Sequence, residues 1–508
     1  MSTLRDAAAL LARATTVARS EPLVRALGFA GWLPLPADAR AAAGIDGVVT
    51  DTRIAVGPGQ LRALGGRAAP ADALRAVMRI ATHAPDKLWI ACIVAPDGRG
   101  LAVAIAPPAG AGRAVLLPVD AAAVRGAEAE SVARLIAACG AVDELTHRRW
   151  REILGRDALT GRFYRELEQA VTTLADTATG RAPEAARREM ALLCASRLLF
   201  LAFLEAKGWL DGDREFLRHR FDARCADGGA VHRRLLDPLF FGTLNAPVAR
   251  RAPASRALGR LPFLNGGLFA RTAAERTHRS CTFADDAIGG VICALLGRYR
   301  VTPRESADAW ADAAVDPEML GRAFESLMAR RERREHGVFY TPPALIERVT
   351  NAGLREWLHT HGVPESVRDD LLAGSPVPTP HRAAVLRAVA TVRVIDPACG
   401  SGAFLVHALH RLAAMRSLAG DQRSVDVIRR EVLVRSIFGV DANPTAAWIC
   451  ELRLWLATVV ESPVRDPVDV EPLPNLDHHI RVGDSLAGPA FDEPAATTVR
   501  GGRWRARS

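Results

Sequence analysis

The sequence predicts an α/β protein that ends in a parallel sheet with helical crossovers. A helical domain precedes that sheet, and an N-terminal α+β domain precedes the helices. Three observations carry this reading. Short apolar runs broken by Gly/Pro clusters fill residues 1–140, helical periods fill 141–310, and between 311 and 487 three β-branched runs alternate with helical patterns. Strand, helix, strand, helix, strand is the order of parallel strands joined by crossovers. The chain has 508 residues, more than one ordinary core can serve, and roughly 150 residues per domain predicts about three units.

In the first region, "KLWIACIVAPDGRGLAVAIAPPAGAGRAVLLPVD" (87–120) holds three apolar runs separated by "PDGRG" and "PPAGAGR". That is a β-meander, and its strands are too apolar to have one wet face. In the second, "GRFYRELEQAVTTLADTA" and "ARREMALLCASRLLFLAFLEAKGWL" repeat apolar residues at i, i+3, i+4 and i+7. The second of these is apolar nearly all round, so it belongs in a core. "LPFLNGGLFA" then breaks the helical run at Asn265-Gly266-Gly267, a tight turn. In the third, "VRVIDPA", "IFGVDA" and "IRVGDSL" read as the strands, and residues 488–508, "GPAFDEPAATTVRGGRWRARS", as a basic tail.

Apolar residues make up 49% and charged residues 24%, the profile of a folded chain. The excess of 66 Lys and Arg over 57 Asp and Glu, a net +9, favours a polyanionic partner. Eight cysteines lie scattered with no CxxC pair and no His at zinc spacing, which predicts reduced thiols in the cytoplasm and no metal site. No apolar run approaches the roughly 18 residues of a membrane span, so no membrane is expected as a partner.

Ligands of an open parallel sheet sit beyond the carboxyl ends of its strands. Each of the three strand ends carries an acid: Asp396 after "VRVI", Asp441 after "IFGV", Asp484 after "IRVG". One such Asp commonly caps the next helix. Three in order point to a ligand. Gly400 and Gly402 in "DPACGSG" let backbone N–H groups approach it at a helix N-terminus. No Gly-Lys-Ser/Thr follows, and Phe404-Leu405 fill the place of a third glycine, so neither phosphate loop is matched. An acid beside the turn suits an amine; an acid about 45 residues on suits ribose hydroxyls; Asp484-Ser485 suits an adenine amine. S-adenosylmethionine meets these demands, having an amine, a ribose and an adenine but no phosphate.

"VIDPACGSGAFL" resembles the D-P-x-C-G-S/T-G-x-F motif of adenine-specific DNA methyltransferases. "GVFYTP" resembles the motif that precedes it in the large methyltransferases of type I and type IIG restriction-modification systems, and "IFGVDANPTAAWICELRLWL" and "IRVGDSL" resemble the second and third motifs. The upstream "LFLAFLEAKGWLDGDREFL", "LNGGLFA" and "LGRAFESLM" resemble the helical region of the same proteins, so the resemblance covers roughly 140–487. It implies a Rossmann-like methyltransferase sheet. Tyr340, Thr341 and Pro342, with Asp396, Ala398, Cys399, Gly400, Ser401, Gly402 and Phe404, then line the methionine end; Asp441 holds the ribose, and Asp484 and Ser485 reach the adenine. Cys399 serves as a small residue beside the cofactor, with no base to make it a nucleophile. Double-stranded DNA is the implied partner.

The family's chemistry also needs Asn/Asp-Pro-Pro-Tyr/Phe at the end of the next strand, to bond the adenine's exocyclic amine and stack on the flipped base. The Pro-Pro pairs are Pro107-Pro108 and Pro342-Pro343, and neither fits. The sheet is therefore expected to be incomplete, with no catalytic residue in this chain and one edge of its first strand unpaired. A separate chain carrying that motif and the target-recognition domain is the expected partner. The alternative is a catalytically inactive, truncated module that binds cofactor or DNA. A nuclease reading of the N-terminal domain, degenerate or active, rests on Asp46, Asp51, Asp86 and Lys87, with no E-x-K; a β-rich scaffold or DNA-contacting domain with incidental acids is preferred.

Overall fold

The computed structural model describes residues 2–108, 114–140, 142–264, 267–299, 301, 319, 341, 343–459, 462–476 and 478–487. The described residues of Met1–Glu166 and Cys293–Asp316 form one compact unit, and those of Leu167–Ile292 and Pro317–Ser508 form a second. Both contain helices and strands, so the protein is mixed α/β.

The first unit is built on six strands, β1 (Leu33–Pro34), β2 (Thr50–Val56), β3 (Leu61–Arg67), β4 (Leu88–Val94), β5 (Gly100–Ile105) and β6 (Val115–Asp120), paired in chain order. Neighbours are antiparallel except β3 and β4, which run parallel because the helix Pro70–His83 crosses between them. β4, β5 and β6 form the antiparallel meander that the run 87–120 predicts. Every residue of β4 is buried. Side chains alternate along a strand, so Leu88, Ile90, Cys92 and Val94 enter one apolar core while Trp89, Ala91 and Ile93 enter another on the opposite face. Two covered faces explain why the run shows no polar alternation.

The second unit begins with helices. Glu184–Ala206 is buried without a break from Met190 to Leu204 except at Leu192, as its all-round apolar pattern requires. Its exception in chemistry is Arg197, 1% exposed, which donates to the Leu268 and Ala270 carbonyls and pairs with Glu275. A buried guanidinium needs all of these partners to offset lost water. The turn expected at Asn265-Gly266-Gly267 lies at residues of which 265 and 266 are outside those described; Gly267–Phe269 is a single 3-10 turn.

Three parallel strands follow, β7 (Val394–Asp396), β8 (Ile437–Asp441) and β9 (Ile480–Val482), in the order β7-β8-β9. Helices Ala403–Leu418 and Val425–Ser436 connect the first two, and Pro444–Val459 connects the second pair. Helix Ala403–Leu418 lies so close to β8 that a Cβ on Gly439 would stand 2.7 Å from Leu405 Cδ1. Ile395 pairs in register with Phe438 on the opposite face and is 62% exposed. Lys207, from the helical region, closes the C-terminal end of Pro444–Val459 by donating to the carbonyls of Val459 (2.8 Å) and Ser462 (3.0 Å). Among the described residues no helix is long and apolar enough to cross a membrane.

Candidate functional site

The register of the short sheet sets its acids side by side. Asp396 ends β7 opposite Gly439, and Asp441 ends β8 opposite Val482. Asp484 follows in the turn after β9, whose Gly483 N–H donates to the Asp441 carbonyl at 2.9 Å. All three acids thus stand at the carboxyl end of one parallel sheet. Asp484 and Ser485 are exposed, and the Asp484 carboxylate accepts from the Leu486 N–H at 2.9 Å.

Between β7 and the next helix the chain turns through Pro397–Gly402. Gly400 and Gly402 have φ of 53° and 83°, left-handed conformations that favour glycine. Gly402 also has no room for a side chain, since a Cβ there would stand 2.5 Å from Cys450 Sγ. Its carbonyl accepts the N–H of Val406, starting helix Ala403–Leu418 and leaving that helix's first N–H groups facing the turn.

Four contacts fix the turn. The Asp441 carboxylate accepts from Gly400 N–H and from Asn443 N–H, both at 2.8 Å. Cys399 N–H donates to the Val440 carbonyl at 2.9 Å. Arg453, 5% exposed on helix Pro444–Val459, donates to both the carbonyl and the hydroxyl of Ser401 at 3.0 Å. Cys399 and Cys450 are buried against each other. The hydrogen bond that the Cys450 thiol donates to Cys399, then burial, pushes the Cys450 thiol well above its ordinary value, so it stays protonated.

Asp396 has a different environment. Its Oδ1 accepts from the Ala398 N–H at 3.1 Å, yet burial, followed by the nearby charge of Asp441, outweighs that bond and raises its pKa. A carboxylate so placed gains from a cationic group brought beside it. Ala398 is exposed, and Phe404 is half-buried in the first helical turn. Thr341 is half-buried just before helix Pro343–Thr360; Tyr340 and Pro342 lie outside the described residues.

Sequence reasoning missed two anchors. Asn443 caps helix Pro444–Val459, accepting from the N–H groups of Thr445 (2.9 Å) and Ala446 (3.3 Å). An Asn directly before a Pro at the first helical position is the signal that would have found it. Arg453 carries no such signal among so many arginines. In the first unit, Asp46 pairs with Arg40, Asp51 with Arg53 and Asp86 with Lys87. Among the described residues no three His, Cys, Asp or Glu side chains group as a metal site.

The loop between strand ends, the acid ladder and the glycines lie inside or beside a segment, residues 380–469, that matches the family described as MmeI, DNA-methyltransferase domain. This segment is similar to a DNA-methyltransferase domain of the MmeI type. The chain is also 28% identical, over 337 residues, to RM.MjaORFECS2P of Methanocaldococcus jannaschii, whose name gives it as a putative type II restriction enzyme and methyltransferase. That alignment takes in 59% of this chain and 28% of the relative. The adenine-specific methyltransferase PglX of Streptomyces coelicolor is 38% identical over 96 residues, 19% of this chain and 8% of that protein. The chain therefore spans well under half the length of either relative. The solved complex of the Type IIL restriction-modification enzyme MmeI with DNA aligns at 21% identity and a TM-score of 0.45, over 64% of this chain and 40% of that one. The Asp441, Asn443 and Arg453 anchors all lie within the matched residues 380–469.

Proposed function

We propose that this chain is the cofactor-binding part of an S-adenosylmethionine-dependent DNA methyltransferase of a restriction-modification system, acting on the exocyclic amine of adenine. The observation that carries the proposal is the pairing of Asp396 with the anchored turn Ala398–Gly402. The turn's N–H groups and the raised Asp396 carboxyl suit the carboxylate and ammonium of a methionyl group. Asp396, Ala398, Cys399, Gly400, Ser401, Gly402 and Phe404, with Tyr340, Thr341 and Pro342, would surround that end. Asp441 keeps an acceptor lone pair on each oxygen for the ribose hydroxyls, and Asp484 and Ser485 remain free to meet the adenine. When bound, the cofactor supplies the methyl group; the chain's own residues hold and orient it.

The three parallel strands then form part of a Rossmann-like methyltransferase sheet. Parallel sheets ordinarily have both faces covered; Ile395 on the open face of β7 marks where further helices would pack, and the free edge of β7 where a further strand would pair. We assign that layer, with an Asn/Asp-Pro-Pro-Tyr/Phe motif to position the base, to a further segment or a separate polypeptide. Duplex DNA is the substrate this reading requires, and the net charge of +9 suits it. Eight free thiols suit the cytoplasm.

The test is transfer of radiolabelled methyl groups to duplex DNA, by the chain alone and with a polypeptide carrying the missing motif. Transfer that requires both would support the reading. Absence of cofactor binding even with that polypeptide present would sink it. The second reading, an inactive module, is favoured by the motif's absence from these residues; duplex binding indifferent to cofactor and to Asp441→Ala would select it.

A further inference from the structure

Away from the strand ends, the helical region of the second unit encloses a cavity of about 20 Å³ between helix Glu184–Ala206 and residues 232–283. One water needs roughly 10–15 Å³, so the space suits a water or the head of a small polar group. A whole nucleotide, which takes pockets of hundreds of Å³, does not fit. The wall is cationic. Arg197, Arg233, Arg271 and Arg279 face the cavity against two carboxylates, Asp237 and Glu275. Glu275 is taken by Arg197 and Asp237 by Arg271 at 3.2 Å. Among the described residues Arg233 and Arg279 have no carboxylate partner; Arg233 donates to the Ser280 carbonyl at 3.2 Å.

Two further features point inward. The Arg271 guanidinium lies 3.8 Å over the Phe241 ring, and that of Arg197 lies 5.1 Å from the same ring. Two cations of the wall thus share one ring. His232 also lines it, with Nδ1 buried and without a hydrogen-bond partner. Burial holds this imidazole below its ordinary pKa, so the neutral ring can offer an N–H. A buried polar atom left unpaired is unfavourable, and so is a surplus of cations until an anion joins them. Arg233 and Arg279 are exposed at the mouth, where a large anion can be met from solvent.

We propose that the mouth of this cavity is a phosphate site that meets one backbone phosphate of duplex DNA, while the small space behind it holds no more than a water. Arg233 and Arg279 meet its oxygens at the mouth, and the phosphate faces the imidazole of His232. The site rests on DNA being the partner, as proposed above, and it positions the duplex without reading its sequence.

The test uses the full chain and a short duplex, with affinity measured by fluorescence anisotropy across a range of salt concentrations. Replacing both rim residues, Arg233→Ala with Arg279→Ala, should weaken binding severalfold for every duplex sequence and lower the slope of log affinity against log salt by about one. The Arg233→Lys, Arg279→Lys pair should retain the slope, since charge is what acts. Cofactor binding and melting temperature should not change in either. Wild-type binding with an unaltered slope in the alanine pair would overturn the site while leaving DNA as the partner. Failure of the wild type to bind duplex would overturn the partner. If inorganic phosphate then still bound, seen by phosphorus NMR, the cavity would be a small-anion site and the backbone assignment would be wrong.

Discussion

The two sheets differ in what their residues serve. In the six-stranded sheet every β4 side chain is buried, and alternate residues feed two separate cores. In the three-stranded sheet, helix Ala403–Leu418 covers one face, while Ile395 on the other is 62% exposed. Its side chains and loops instead converge at the strand ends, where Asp396, Asp441 and the Gly400–Gly402 turn meet. The first sheet sends its side chains into two cores; the second brings its acids and a glycine turn together at the strand ends.

That contrast can be broken by substitution. Ile90, fully buried in β4, is expected to cost about 2–5 kcal/mol when changed to Ala, read as a lower midpoint in denaturant unfolding of the first unit. Gly402→Ala should come next. The left-handed φ and the 2.5 Å approach to Cys450 together should cost about 1–3 kcal/mol and displace the turn. The loss should appear in unfolding of the second unit and in weaker cofactor binding, with the first unit unaffected.

Asp396→Asn should separate stability from binding. Burial raises the pKa of this acid in the folded chain. The folded state therefore holds the proton more tightly than the unfolded one. Its favourable contribution is complete below the unfolded value of 3.8 and is lost as pH rises through the folded value. At neutral pH the empty protein bears an unfavourable buried charge, so Asp396→Asn should melt no lower than wild type at pH 7 while binding S-adenosylmethionine more weakly. A fall in both would show that the carboxylate is structural. Smallest of all, Ile395→Ala should shift unfolding of the chain by less than about 0.5 kcal/mol, as exposed positions do. A loss like that of Ile90→Ala would mean that β7 is already covered.

Much of this arrangement was legible in the residues. The apolar runs of 87–120 predicted the meander, and three runs each followed by an acid predicted the parallel strands with their acids at the carboxyl ends. What was not legible depends on contacts distant in sequence. Arg453 reaches Ser401 from 52 positions away in the chain, Asp441 reaches Gly400 from 41, and Lys207 caps a helix more than 250 residues on. None of these leaves a local pattern, because an arginine or lysine that anchors a backbone carbonyl looks the same in sequence as one in water. The exposure of Ile395 leaves no mark either, since the residue reads as an ordinary strand position.

The central claim is that the turn from Asp396 to Gly402, held by Asp441, binds S-adenosylmethionine. Calorimetric titration of S-adenosylmethionine into the full chain tests it most directly. One equivalent should bind to the wild type, and Asp441→Ala, which removes the anchor for Gly400 and Asn443 and with it the acceptor for both ribose hydroxyls, should lower affinity by at least about a hundredfold, two hydrogen bonds from the ligand to a charged group being worth about 3 kcal/mol or more. Absence of binding, or binding that Asp441→Ala leaves unchanged, would contradict the account.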